Sequence, residues 1–128
     1  MGAWGAGIFE NDGAGDFLVD LKHSPNGWSL IRQILDRAVE DEDESPTESE
    51  AAIAAAECVA IARGKPSSKP NPRAVDWCKT TPATDLSKLA PLALKAVRQV
   101  RASSELKDLW EGDEEWEEVV ADLEKRLL

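Results

Sequence analysis

The chain has no tyrosine, a single histidine, a single methionine and only two cysteines. Cys58 and Cys78 fit no C-x-x-C pattern and sit among apolar neighbours. Two structural thiols in a reducing cytosol are therefore expected, with a disulfide or a reactive thiol as the alternative. No apolar run approaches the roughly 18 residues that span a bilayer. The N-terminus has no basic segment followed by an apolar one, so no secretory signal and no membrane association are expected. Gly2 follows Met1, but Ala6 stands where a myristoylation signal needs Ser or Thr. Basic charge is also short: 15 Lys+Arg against 25 Asp+Glu leave a formal net charge of −10. Such a chain has no net positive face for phosphates, and nucleic acid is not an expected partner.

What is present is a chain of 128 residues, 42% hydrophobic. That length suits a single domain over residues 1–128, and a chain of this size buries about two-thirds of its unfolded surface. Charge is unevenly spread. Residues 1–62 hold 13 acids and 3 bases, residues 63–101 hold 2 acids and 9 bases, and residues 102–128 hold 10 acids and 3 bases. The basic middle is expected to pair with the acidic flanks.

Along the chain, Gly2, Gly5 and Gly7 deny residues 1–11 a helix. An ordered, extended glycine-rich arm pinned by Trp4, Ile8 and Phe9 is expected there. Asn11 or Asp12 caps a helix presenting Phe17, Leu18 and Leu21, and Ser24-Pro25-Asn26-Gly27 makes a turn. Ile31, Ile34, Leu35 and Ala38 repeat at helical spacing from about Trp28 to Glu40. Five consecutive acids, Glu40 to Glu44, then read as a solvated loop, bounded as 41–45. Ser45-Pro46-x-Glu48 is a capping box with proline at the first helical position. The alanine-rich helix it opens runs to about Arg63, and its small side chains suit close helix approach. Residues 64–71 form a Pro/Ser/Lys loop. Asn71-Pro72 starts a short helix. Leu86, Leu89, Ala93, Ala96, Val97 and Val100 predict another, with Pro91 inside it as a kink or a restart. Two more helices cover Glu105 to Glu111 and about Asp113 to Leu127. No strand run and no internal repeat is seen. The expected fold is all-α, a compact bundle of six or seven short helices with the N-terminal arm packed on it.

The opening Met1-Gly2-Ala3-Trp4-Gly5-x-Gly7-x-Phe9-x-Asn11-Asp12-x-Ala14-x-Asp16-Phe17 resembles that of a bacterial family of small cytosolic proteins, domain-of-unknown-function family 4259. The resemblance continues through the alanine-rich helix to Gly64. It returns at Ser104-Glu105-Leu106-x-x-Leu109-Trp110 and Trp116. It implies a bacterial source and a compact domain, and brings no catalytic residue set with it.

Several residue sets invite a chemical reading. Asp12, Asp16 and Asp20 lie four apart, so their carboxylates share one helix face. Hard divalent cations use such oxygen ligands, and the alternative is a solvated face opposite Phe17 and Leu21. Gly5-x-Gly7 lacks the strand and the spacing of a phosphate-binding loop. Tight turning that buries Trp4 and Phe9 is its expected role, with Asn11-Asp12 docking the arm onto the first helix. His23 ends a helix, where a cation suits the dipole, and no nucleophile elbow accompanies it. Of the five tryptophans, most are expected in the core. Trp110 and Trp116, which flank Glu111, Asp113, Glu114 and Glu115 and adjoin Glu118, are candidates for a partner surface.

The expected function is that of a cytoplasmic, non-catalytic protein without a cofactor. It would bind and mask a basic partner protein, as an immunity protein or antitoxin does, through electrostatic attraction. Two alternatives stand beside it. One is a small divalent-metal enzyme using Asp12, Asp16 and Asp20. The other is a structural homo-oligomer joined through the alanine-rich helix.

Overall fold

A computed structural model describes residues 3–128, so Met1 and Gly2, which begin both the signature and the expected arm, lie outside the described residues. Seven helices follow in order: α1 (Asp12–His23), α2 (Gly27–Glu40), α3 (Pro46–Ala62), α4 (Pro72–Thr80), α5 (Leu86–Ala102), α6 (Glu105–Leu109) and α7 (Glu114–Leu127). The only β-type pairing among the described residues is an isolated antiparallel bridge between Ala3 and Asn11. The fold is all-α.

Local chemistry sets the helix starts. The side chains of Asn11, Asn26, Ser45, Asn71, Ser104 and Asp113 each accept a hydrogen bond from a first-turn N–H. These groups have no partner inside the helix, so each cap answers an unmet donor. At α3 the box is reciprocal: Glu48 N–H donates to Ser45 Oγ (3.2 Å), and Ser45 N–H donates to Glu48 Oε1 (3.1 Å). At the opposite end of α7, the Arg63 guanidinium donates to the backbone carbonyls of Arg126, Leu127 and Leu128. A cation there satisfies free carbonyls and opposes the negative end of the helix dipole.

The alanine-rich α3 is the axis of the bundle, and all six other helices pack against it. Eleven of its 17 residues are buried, on every face. A helix buried all round needs no amphipathic stripe, and its alanines let the neighbours approach closely. The expectation that this helix presents a contact face to a second copy is thereby corrected: its small side chains are covered within the chain. The remaining helices are amphipathic and turn one stripe inward, such as Ile31, Leu35 and Ala38 from α2, and Val120, Leu123 and Leu127 from α7.

Two other expectations change. Helix α5 continues through Pro91 without a restart. Pro91 is exposed and sits in the second turn, so the bond it cannot make costs one carbonyl that water can reach. The N-terminal segment, in turn, is a closed loop. Trp4 N–H donates to the Glu10 carbonyl (3.0 Å), and Glu10 N–H donates to the Gly7 carbonyl (3.1 Å). This reversal buries Ala6 and half-buries Ile8 and Phe9, and it leaves Trp4 66% exposed rather than in the core.

Candidate functional site

A groove of about 650 Å³ opens where three segments meet: the N-terminal loop, the 63–71 connection and α7. Its walls include Phe9, Pro70, Pro72 and Val119, and its carboxylates come from Glu10, Glu115, Glu118 and Asp122. Helical spacing explains the last three: residues 115, 118 and 122 are three and four apart, so they share one face of α7. Glu10 arrives from the opposite wall, held by its acceptance of a hydrogen bond from Gly7 N–H (3.0 Å). The Cβ positions of Gly5 and Gly7 both overlap the Glu10 carboxylate, so the absence of side chains there lets Glu10 fold back. Neither Glu115 nor Glu118 meets a cationic side chain among the described residues, and both are exposed.

The floor of the groove holds a buried ion pair. Glu57, 1% exposed on α3, receives Arg126 of α7 in a two-pronged contact. Arg126 Nη2 lies 2.7 Å from Glu57 Oε1, and Nη1 lies 2.8 Å from Oε2. Ser67 N–H adds a bond to Oε2 at 3.3 Å, and Asp122 holds Nε of the same arginine at 2.8 Å. Burial raises the Glu57 carboxyl above its ordinary range, and the Arg126 contacts pull it back only in part. The guanidinium is occupied on both edges, so its charge is spent inside the protein.

Two further buried acids accompany it. Glu50, two turns earlier on α3, accepts from Gly13 N–H at 3.3 Å, and burial raises its carboxyl. Glu44 is only 5% exposed, which corrects the reading of residues 40–44 as wholly solvated. Burial first, then the nearby Glu48 and Asp41 charges, push Glu44 up to about 7, against the opposing pull of Arg37. Sequence reasoning missed all three residues. For Glu50 and Glu57 a signal existed: two acids about two helical turns apart stand in a helix that is otherwise apolar beyond its first turn.

The other sequence-derived candidates disperse. Asp12, Asp16 and Asp20 lie exposed along α1, and among the described residues no three His, Cys, Asp or Glu side chains converge as a metal would need. His23 is exposed, with Nδ1 2.9 Å from the Val19 carbonyl in the last turn. Asp113 is spent capping α7 through Trp116 N–H (3.0 Å). Trp116 is 4% exposed and Trp110 half-buried, so both turn into the core, while Glu111, Glu114, Glu115 and Glu118 face solvent. Within the N-terminal signature, Asn11 is the buried joint. Its Oδ1 accepts from Ala14 N–H (2.8 Å), and its Nδ2 donates to the Ile8 carbonyl (3.2 Å). The distant parts of the signature meet in space: Gly5, Ala6, Gly7 and Asn11 line one small cavity with Trp110 and Trp116. The basic middle is partly consumed by pairing. Arg101 binds Glu117 (3.0 Å) and Glu124 (2.6 Å), and Arg98 binds Glu124 (3.4 Å).

No helix among the described residues is long and apolar enough to cross a membrane. No curated protein and no solved structure matches the chain. A family model described as "Domain of unknown function (DUF4259)" matches residues 2–122, and the chain belongs to that family.

Proposed function

We propose that this protein binds and masks a cationic segment of a partner protein, in the manner of an immunity protein or antitoxin, and that the groove beside α7 is its docking surface. The observation that carries this reading is the convergence of Glu10, Glu115, Glu118 and Asp122 on one concave surface. Exposed carboxylates grouped in a cleft raise the local concentration of cations and speed encounter with a basic partner. Trp4 strengthens the case. It is exposed, and its backbone N–H is bonded to the Glu10 carbonyl, so an exposed aromatic belongs to the same loop as Glu10 and is available for stacking on Lys or Arg. The role is one of binding, with no catalytic step and no cofactor. The family resemblance supports a bacterial source, and the two free thiols suit the cytoplasm.

A synthetic oligolysine peptide tests the proposal by titration against the full chain at low and at physiological salt. Affinity is expected to fall with salt and to drop about tenfold or more in a Glu115→Lys/Glu118→Lys variant. A matched Asp16→Lys/Asp20→Lys variant, altered on α1 away from the groove, is expected to retain binding. Equal loss in both variants would trace the attraction to overall charge and sink the groove as a site. Absence of binding at low salt would sink the cationic-partner reading itself.

A further inference from the structure

We propose that Cys58 and Cys78 form a hydroperoxide-reactive dithiol, in which Cys78 attacks the peroxide and Cys58 resolves the product into a disulfide joining α3 to α4. The geometry rests on three features. Cys78 Sγ lies 3.5 Å from the Cys58 carbonyl oxygen, to which its thiol donates, so the sulfur sits against the Cys58 backbone. Their exposure differs: Cys78 is half-buried and open to a small oxidant, whereas Cys58 is fully enclosed. Small residues surround the joint. Ala54, Ala55 and Ala62 stand one turn from Cys58 on α3, Ala74 of α4 is wholly buried, and α4 packs directly on α3.

Exposure sorts the two roles, since only Cys78 is partly open to solvent, and acidity follows the same order. Donation from the Cys58 thiol draws the Cys78 thiol below its ordinary range, against burial and the Glu57 charge. The same bond, together with burial, pushes Cys58 well above its own range. The thiolate is the nucleophile in thiol chemistry, so Cys78 is the attacking sulfur and Cys58 the reserve.

The chemistry balances as follows. The Cys78 thiolate attacks the terminal oxygen of a hydroperoxide, the O–O bond breaks, and an alkoxide (hydroxide, for hydrogen peroxide) leaves and takes up a proton. Cys78 becomes a sulfenic acid. The Cys58 sulfur then attacks the Cys78 sulfur, its proton leaves with the departing hydroxide as water, and the S–S bond forms. Two thiols and one hydroperoxide yield one disulfide, one alcohol (or water) and one water. A thiol reductant reverses the change.

Hydrogen peroxide on the purified full chain provides the test, with acid quenching, alkylation after unfolding and intact mass measurement. One equivalent is expected to remove both alkylatable thiols from the folded monomer, with a mass loss of two hydrogens and a cross-linked peptide pair containing Cys58 and Cys78. Dithiothreitol should restore both thiols, and the urea-unfolded chain should cross-link more slowly. In a Cys58→Ser variant the sulfenic acid should persist on Cys78 and be trapped by dimedone. The wild-type measurement decides the matter if that variant does not fold. Retention of both thiols overturns the proposal. So does advance of Cys78 to the sulfinic acid beside a free Cys58, cross-linking between molecules, or equal rates in the folded and unfolded chains.

Discussion

Arg126 grips both oxygens of Glu57, 69 positions away in the chain, at 2.7 and 2.8 Å. The contact ties the last helix to the central one under the floor of the acidic groove. A carboxylate this deeply buried is tolerated because the guanidinium and Ser67 N–H complete its hydrogen bonds. Removing one partner is therefore far more harmful than removing both. Arg126→Met is expected to cost about 3–5 kcal/mol, read as a lower midpoint in urea unfolding. Adding Glu57→Met to it should recover most of that loss. A double variant no more stable than Arg126→Met alone would show that the arginine acts mainly through Asp122 and through the Lys65 carbonyl, to which its Nη1 also donates at 3.1 Å.

Glu44 makes stability depend on pH in the neutral range. Its carboxyl is held at about 7 in the folded chain against an ordinary 4.5. A raised carboxyl favours the protonated folded state, so its contribution is fully present below pH 4.5 and is lost as pH rises through 7. Glu44→Gln keeps the shape of the neutral acid. It should leave stability nearly unchanged at acidic pH and raise it by about 1–2 kcal/mol above pH 8, less than full linkage because the loop around an ionised Glu44 can relax. Urea titrations across that range check the difference, and parallel curves for the two proteins would refute it.

Asn11 closes the N-terminal loop onto α1 through both ends of its amide. Asn11→Ala should cost about 1–2 kcal/mol through the lost cap. It should also raise hydrogen exchange at Ala14 N–H and loosen the loop that carries Glu10 into the groove. A loss of stability without faster exchange there would place the effect elsewhere. Peptide affinity should fall together with the loop, which links the fold of the signature to the proposed docking surface.

The exposed Asp12, Asp16 and Asp20 repel one another along α1. Asp16→Asn should stabilise the chain by a few tenths of a kcal/mol. Added Mg²⁺ or Ca²⁺ should shift Tm only as general salt screening does. A saturable, stoichiometric rise in Tm that Asp16→Asn abolishes would instead restore these carboxylates as a metal site.

Much of the fold was legible in the residues because its signals are local. Asn11, Ser45-Pro46, Asn71-Pro72 and Ser104 supply their own first-turn acceptors or a preset φ, so helix starts follow from a few consecutive side chains. Apolar spacing from Ile31 to Ala38 and from Leu89 to Val100 fixes which face turns inward. The sites were far less legible. Trp4, among glycines and alanines, lies in solvent, whereas Trp116, among glutamates, lies in the core, the reverse of what their neighbours suggest. Burial depends on which segments fold over a side chain, and that is settled by the Ala3–Asn11 closure and by the packing of α7.

By itself, the sequence determined the helical class, the ends of most helices, the strong negative charge and the family, since each rests on residue type and short-range spacing. Only the tertiary structure decided that the alanine-rich helix is the enclosed axis, that Glu57 finds Arg126, that Cys58 finds Cys78, and that Glu10 joins three carboxylates of α7 around one groove. Those partners are separated by 20 to more than 100 positions. No local rule carries such pairings: they form when the chain minimises exposed apolar surface around α3, and every buried charge must then find whichever donor that packing brings within reach.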